Sequence, residues 1–121
     1  MNMEKVMFIE IGTGIDLHGQ NITKAAVRAV HNAIHHNSMP GIRSVLPGGE
    51  LSNMKVHVKL AIPTDKEKLD LNEVRAEFPY GQVSFEIMDG GMLTSSGIVL
   101  PDKEDQNDLV YVVNASVEVG Y

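Results

Sequence analysis

The sequence predicts an α+β fold: one domain over residues 1–121, in the order β-α-β-α-β-β, with a mixed four-stranded sheet and two helices on one of its faces. Three observations carry that prediction. Residues 55–62 alternate apolar and polar side chains, the period of a strand with one wet face. Residues 23–37 repeat apolar side chains at helical spacing. Residues 109–119 form a long β-branched run. Two successive strand–helix units imply right-handed crossovers.

The elements follow in order. Val6 to Ile11 is a nearly continuous apolar run and reads as a strand buried on both faces that ends at Gly12. The first helix, from Thr23 to about Asn37, aligns Val27, Val30 and Ile34, with Ala26 and Ala33 beside them. Asn21 or Thr23 caps its start, and Met39-Pro40-Gly41 ends it. Ser44 to Asn53 is a loop around Pro47-Gly48-Gly49. In the strand Lys55 to Ile62, Val56, Val58, Leu60 and Ile62 face one way, and Lys55, His57 and Lys59 the other; Pro63 stops it. Leu69 to Phe78 is the second helix, with Leu71, Val74 and Phe78 on one side and Asp70 and Glu73 at capping-box spacing. Pro79-Tyr80-Gly81 terminates it. Gln82 to Met88 alternates through Val83, Phe85 and Ile87 into a turn at Asp89-Gly90-Gly91. Ile98 to Leu100 is a short strand, Asp102 to Asp108 a charged exposed loop, and Leu109 to Val119 the last strand. The second sheet face carries Lys55, His57, Lys59, Ser84 and Glu86, too polar for another core layer. It meets either solvent or a second copy of the chain.

Composition narrows the function. Aromatic residues make up 5% of the chain and Trp is missing, so the core is aliphatic, with seven methionines as adaptable filler. Met88 and Met92 are alternatively part of a ligand wall or a subunit interface. A net charge of −6 without a Lys/Arg cluster argues against nucleic acid and against an anionic membrane surface as partners. An anionic substrate stays open, because a metal or a local Arg inverts the local field. With no cysteine there is neither a disulfide framework nor a thiolate metal site, which fits a reducing cytoplasm. Met1 to Lys5 lacks the basic flank of a signal peptide, and no apolar run has the length of a membrane span.

The chemistry concentrates in Gly12-Thr13-Gly14-Ile15-Asp16-Leu17-His18-Gly19. Asp16 and His18 stand two residues apart, so an extended backbone sends both from one face, where they can share a divalent metal, zinc first. His31, His35, His36 and His57 are the remaining imidazoles, with His31 and His35 four apart on the first helix beside Arg28 and therefore favoured. The plain alternative is a turn in which Asp16 makes an Asx-type bond, His18 satisfies backbone and the helical histidines meet solvent. A metal-free reading has Asp16 orienting His18 as a general acid–base. Gly12, Gly14 and Gly19 would then let backbone N–H groups approach a ligand, with the first helix start adding donors for an anion. Gly90 and Gly91, with Thr94-Ser95-Ser96-Gly97, are a second candidate for holding an oxyanion, and Pro47-Gly48-Gly49-Glu50 a weaker one. Glu10 is a carboxylate inside an apolar strand, to be paired with Lys59 or Arg28, or to stand behind His18.

The Gly12-x-Gly14-x-Asp16-x-His18-Gly19 motif resembles the signature of a small uncharacterised protein family of bacteria and, with an extension, of plants, over most of the chain. Ile11 to His18 is also similar to the Gly-x-Gly-x-Asp-x-His segment of methylerythritol cyclodiphosphate synthase, whose Asp and His are zinc ligands. That resemblance implies that Asp16 and His18 are ligands, and it implies a ring of three subunits, since that enzyme shares the β-α-β-α-β-β order. The order also resembles that of the Bacillus-type chorismate mutase. The chain lacks that synthase's His-Ser-Asp-Gly-Asp segment, so the third ligand and the reaction do not carry over. The expectation is a homo-oligomer, most simply a trimer, with an Asp16/His18 site between subunits. It would act on a polar or phosphorylated small molecule by lyase, cyclase or hydrolase chemistry. The rival expectation is a non-catalytic ligand-binding or assembly protein that uses the motif as a structural turn.

Overall fold

A computed structural model describes residues 3–121. Met1 and Asn2, the start of the non-basic opening stretch, lie outside the described residues. Among the described residues there are five strands: β1 (Val6–Asp16), β2 (Lys55–Ile62), β3 (Gln82–Asp89), β4 (Met92–Ser95) and β5 (Leu109–Gly120). Three α-helices accompany them among the described residues, α1 (Ile22–Ile34), the one-turn α2 (Ile42–Val45) and α3 (Leu71–Arg75), besides short 3-10 turns in the connections. The sheet order is β1-β5-β2-β3. β5 is antiparallel to both β1 and β2, whereas β2 and β3 are parallel. β4 pairs antiparallel with Leu109–Val112 of β5, beyond the end of β2. The fold is therefore α+β with a mixed sheet, as expected, but of five strands rather than four. The extra strand is Met92–Ser95, while Ile98–Leu100 is not a strand.

β2 matches its expected bounds because its alternation is unbroken: Val56, Val58, Leu60 and Ile62 are buried in the core. They pack with Val113, Ala115, Val117 and Val119 of β5 beneath α1, and Val74 of α3 joins them. The Asn21 side chain caps α1 by accepting from the Lys24 N–H, and Asp70 caps α3 by accepting from the Asn72 N–H. The N–H of Asp70 donates to Thr23 Oγ1, which ties the two helix starts together.

β1 departs most from expectation. It runs five residues past Ile11 and is half exposed rather than buried on both faces. Gly12, Gly14 and Asp16 lie beneath α1, while Ile9, Ile11 and Ile15 look outward from the open face. A Cβ on Gly14 would stand 2.0 Å from Ala25 O and 2.1 Å from Ala29 N; one on Gly12 would stand 2.2 Å from Ala29 O. These glycines, facing Ala25, Ala29 and Ala33, let the helix backbone lie directly on the strand. They make close packing rather than a turn. The order of the contacts shows that α1 folds back antiparallel along β1. α1 also reaches around the outer edge of β1: Asn32 Oδ1 accepts the Thr13 N–H (3.0 Å) and Arg28 donates to Ile15 O (2.7 Å).

Candidate functional site

The chain turns at residues 17–20, directly after β1. Gly19 (φ +108°) and Gln20 (φ +45°) take left-handed backbone conformations there. Asp16, the last residue of β1, is buried; its Oδ2 accepts the Asn21 N–H (2.9 Å), and Arg28 stands 3.5 Å from its Oδ1. His18 turns elsewhere. Its Nδ1 meets Asp105 Oδ2 at 2.6 Å. Asp16 and His18 line one cleft of about 400 Å³ with Lys24, Arg28 and Lys103, but each has its own partner.

Asp105 is the residue that sequence reasoning missed. Within a loop read as exposed, its side chain is 1% accessible and anchors two loops. Oδ1 accepts the Gly19 N–H (2.6 Å) and Gln20 Nε2 (3.2 Å), and Oδ2 accepts the Leu100 N–H (2.9 Å) in addition to His18. Burial raises this carboxyl, but the Leu100 and Gly19 N–H groups and the His18 imidazole outweigh it and hold it below its ordinary value. Nothing in the local sequence separates Asp105 from Asp102 or Asp108, because all its partners but Leu100 lie 85 to 87 positions away. Gln20 closes the same junction: its Oε1 accepts the Gln106 N–H and its Nε2 donates to Leu109 O.

Fixing Nδ1 on a buried carboxylate sets the imidazole's orientation and leaves Nε2 without a protein partner among the described residues. Asp105, not Asp16, therefore orients His18. Among the described residues no carboxylate pairs with Lys24 or Lys103, and the cleft gathers these two with Arg28. Tyr111 lies opposite Asp16 in the β1–β5 register and donates to Asp65 Oδ2 at 2.8 Å. Burial, then the Asp65 hydrogen bond, then the charges of Asp65, Asp16 and Glu67 push its phenol up to about 12. The stability contributed by that raised pKa is complete below the unfolded value near 10 and is lost as pH rises through about 12. Tyr111→Phe removes the bond and costs roughly 1 kcal/mol in urea unfolding at neutral pH.

The four expected metal ligands do not converge. Because α1 runs back along β1, each turn toward His31 and His35 leads away from Asp16. Those two rings stack at 4.0 Å on an exposed helix face, and His31 Nδ1 meets Glu77 at 3.3 Å. Among the described residues no three of His, Cys, Asp and Glu form a metal-binding group. His57 lies on the open sheet face between Ser84 (2.8 Å) and Glu86 (3.3 Å).

The candidate glycines divide by task. Gly12 and Gly14 face α1, so the space a ligand would need is filled by helix backbone. Gly19 gives its N–H to Asp105. Gly90 and Gly91 form the corner between β3 and β4, where a Cβ on Gly91 would meet Val112 O at 2.3 Å. In the Thr94–Gly97 stretch, the end of β4 and the turn after it, Ser95 Oγ and the Gly97 N–H both donate to Asp108, so this stretch already holds a carboxylate of its own chain. That Ser95 bond is the main reason the Asp108 carboxyl lies below its ordinary value. Glu10 pairs neither with Lys59, which meets Glu118 at 3.0 Å, nor with Arg28, nor does it stand behind His18; Asn37 donates to it.

Comparison with known proteins gives a family and a structure. The model of a family of conserved hypothetical proteins, Lin0512, matches residues 6–119. The crystal structure of an FtsZ-like protein of unknown function from Nostoc punctiforme PCC 73102 superposes with a TM-score of 0.83. It is 36% identical, over 98% of this chain and 97% of that one. No curated protein matches.

Proposed function

From the premise that the chain belongs to the Lin0512 family of conserved hypothetical proteins, we propose that the cleft around His18 binds a small anionic molecule, phosphorylated or carboxylated, and that His18 serves it as a general acid–base. The observation that carries this reading is the gathering of Lys24, Arg28 and Lys103 beside a histidine whose Nδ1 is held by Asp105, in a chain of net charge −6. Three cations face two carboxylates there. Asp105 already accepts four hydrogen bonds, and Asp16 accepts from the Asn21 N–H and Arg28. The free charge belongs to the two lysines, which can meet an oxyanion as point charges. His18 Nε2 can take a proton from a bound hydroxyl or return one to a leaving oxygen, while Asp105 stabilises the imidazolium formed.

A thermal-shift screen of phosphorylated and carboxylated metabolites at constant ionic strength tests the binding half of the proposal. A ligand found this way should bind about tenfold more weakly to Lys24→Ala and to Lys103→Ala, the loss of one charge-assisted contact. His18→Gln should bind within a few-fold of the parent yet lose roughly a hundredfold or more of any turnover. Full turnover in His18→Gln removes the acid–base role, and a screen in which no anion exceeds a matched chloride control removes the site.

Assembly is a second reading with its own support. Ile9 and Ile11, 62% and 67% accessible, stand in a row with Ile15 on the open face of β1. Thr13 interrupts the row between Ile11 and Ile15, but neighbouring exposed isoleucines on one strand face suit contact with another apolar surface. This face supports the homo-oligomer expected from the sequence, a trimer being the size that the resemblance implied. Light scattering should show a multiple of the 13.2 kDa chain that Ile11→Lys reduces to the monomer; a monomeric parent protein ends this reading.

A further inference from the structure

A second cavity lies at the far end of the sheet from His18. It encloses about 200 Å³ between the end of α1, the start of β2 and the segment after α3. Its wall is apolar: Ile34, Met39, Met54, Phe78 and Val117, with the exposed Tyr80 at the rim. The polar side chains other than that phenol are Glu10 and Asn37. Six residues of strand, about 20 Å, separate Glu10 from Asp16, so the two sites do not share groups.

Glu10 is the anomaly in this wall. Asn37 donates one N–H to its carboxylate and holds itself in place with a 2.9 Å bond to Ala33 O. Among the described residues no Lys, Arg or His side chain reaches the Glu10 carboxylate, and the cavity lining contains no cation. Partial burial pushes the carboxyl above its ordinary range, with the Asn37 bond opposing this. A carboxylate at the wall of an apolar chamber, already aimed by a neutral amide, lacks only a positive partner.

We propose that this cavity binds a compact apolar amine, its hydrocarbon body among Met39, Met54 and Phe78 and its ammonium on Glu10. The volume sets the scale. A cavity of about 150 Å³ with a similar apolar lining holds benzene, so about 200 Å³ accommodates one ring or a branched chain with a short aminoalkyl arm. The two methionines can adapt to ring or chain. The arrangement is that of a small-molecule site, an apolar wall with few convergent polar groups.

The test uses 2-phenylethylamine and its neutral counterpart 2-phenylethanol, titrated by calorimetry and by chemical-shift changes of the whole protein. The amine should bind at least tenfold more tightly than the alcohol. Glu10→Gln should abolish that difference, leaving alcohol binding within two-fold. Amine affinity should rise with pH as Glu10 ionises. Should Glu10→Gln fail to fold, Met39→Trp fills the chamber without touching the carboxylate and should remove binding of both probes. Equal binding of amine and alcohol, or amine binding that survives both substitutions, overturns the proposal, as does absence of binding at millimolar concentration. Because these readouts involve neither Lys24 nor His18, they stand or fall separately from the anion cleft.

Discussion

Gly14→Ala is expected to destabilise the protein by about 3 kcal/mol or more, a large share of the roughly 5–15 kcal/mol that holds a domain together. The added methyl would lie 2.0 Å from Ala25 O and 2.1 Å from Ala29 N. Both obstacles are main-chain atoms of a helix, so no rotamer change relieves them. α1 must rise by more than 1 Å to reach ordinary van der Waals separation. Lifting it opens gaps above Val113 and Val117, which are fully buried, and adds a cavity cost to the overlap. Asn32 and Arg28 would also lose their hold on β1. Urea denaturation should show a much lower midpoint. Gly41→Ala is the internal control: its Cβ would find Ser44 Oγ at 3.7 Å, and the change should fall within about 0.5 kcal/mol of neutral. A Gly14→Ala protein as stable as the Gly41→Ala protein would mean that helix and strand are not in backbone contact.

Asp105→Ala should have the second-largest effect, on the site rather than on the core. It deprives the Gly19 and Leu100 N–H groups, Gln20 Nε2 and His18 Nδ1 of one shared acceptor. The melting temperature should fall, and amide exchange at Gly19 and Leu100 should accelerate about tenfold or more as the two loops part. Turnover, if His18 is the acid–base, should drop with the loss of its orientation even where ligand binding persists. The pH dependence carries a definite sign. The folded carboxyl lies below its ordinary value of 3.8, so its contribution is complete above the unfolded value and is lost as pH falls through the lower folded one. The parent protein should therefore shed stability below about pH 4, and Asp105→Ala should show a flatter acid limb. Identical acid limbs would show that Asp105 is not a structural anchor.

Local periodicity explains what the sequence made legible. β2 was readable to the residue because it buries one face and wets the other. Asn21 and Asp70 were readable as caps because a cap acts within three residues of itself. β1 was misread because its glycines look like turn residues until a helix is placed over them. That placement depends on Ala25 and Ala29, eleven and fifteen positions downstream of Gly14. Asp16 and His18 were found as a neighbourhood and misjudged as a pair, since the backbone turns between them and His18 answers to Asp105, 87 positions on. The histidines of α1 share a helix face, but the direction in which the helix returns along the strand, which spacing does not encode, takes them away from the cleft.

The two side chains with which α1 grips the rim of β1 have a bearing on life at high concentration. An outermost strand with unused amides is a template on which an identical strand can be laid, and another on that, without limit. Here the Thr13 amide and the Ile15 carbonyl are already taken by Asn32 and Arg28. At that end of the margin two of the groups an incoming strand would need are occupied, so ribbon-to-ribbon pairing is blocked there. Replacing Asn32 and Arg28 together should thus free that stretch of edge and raise thioflavin T binding in concentrated solution over the parent protein.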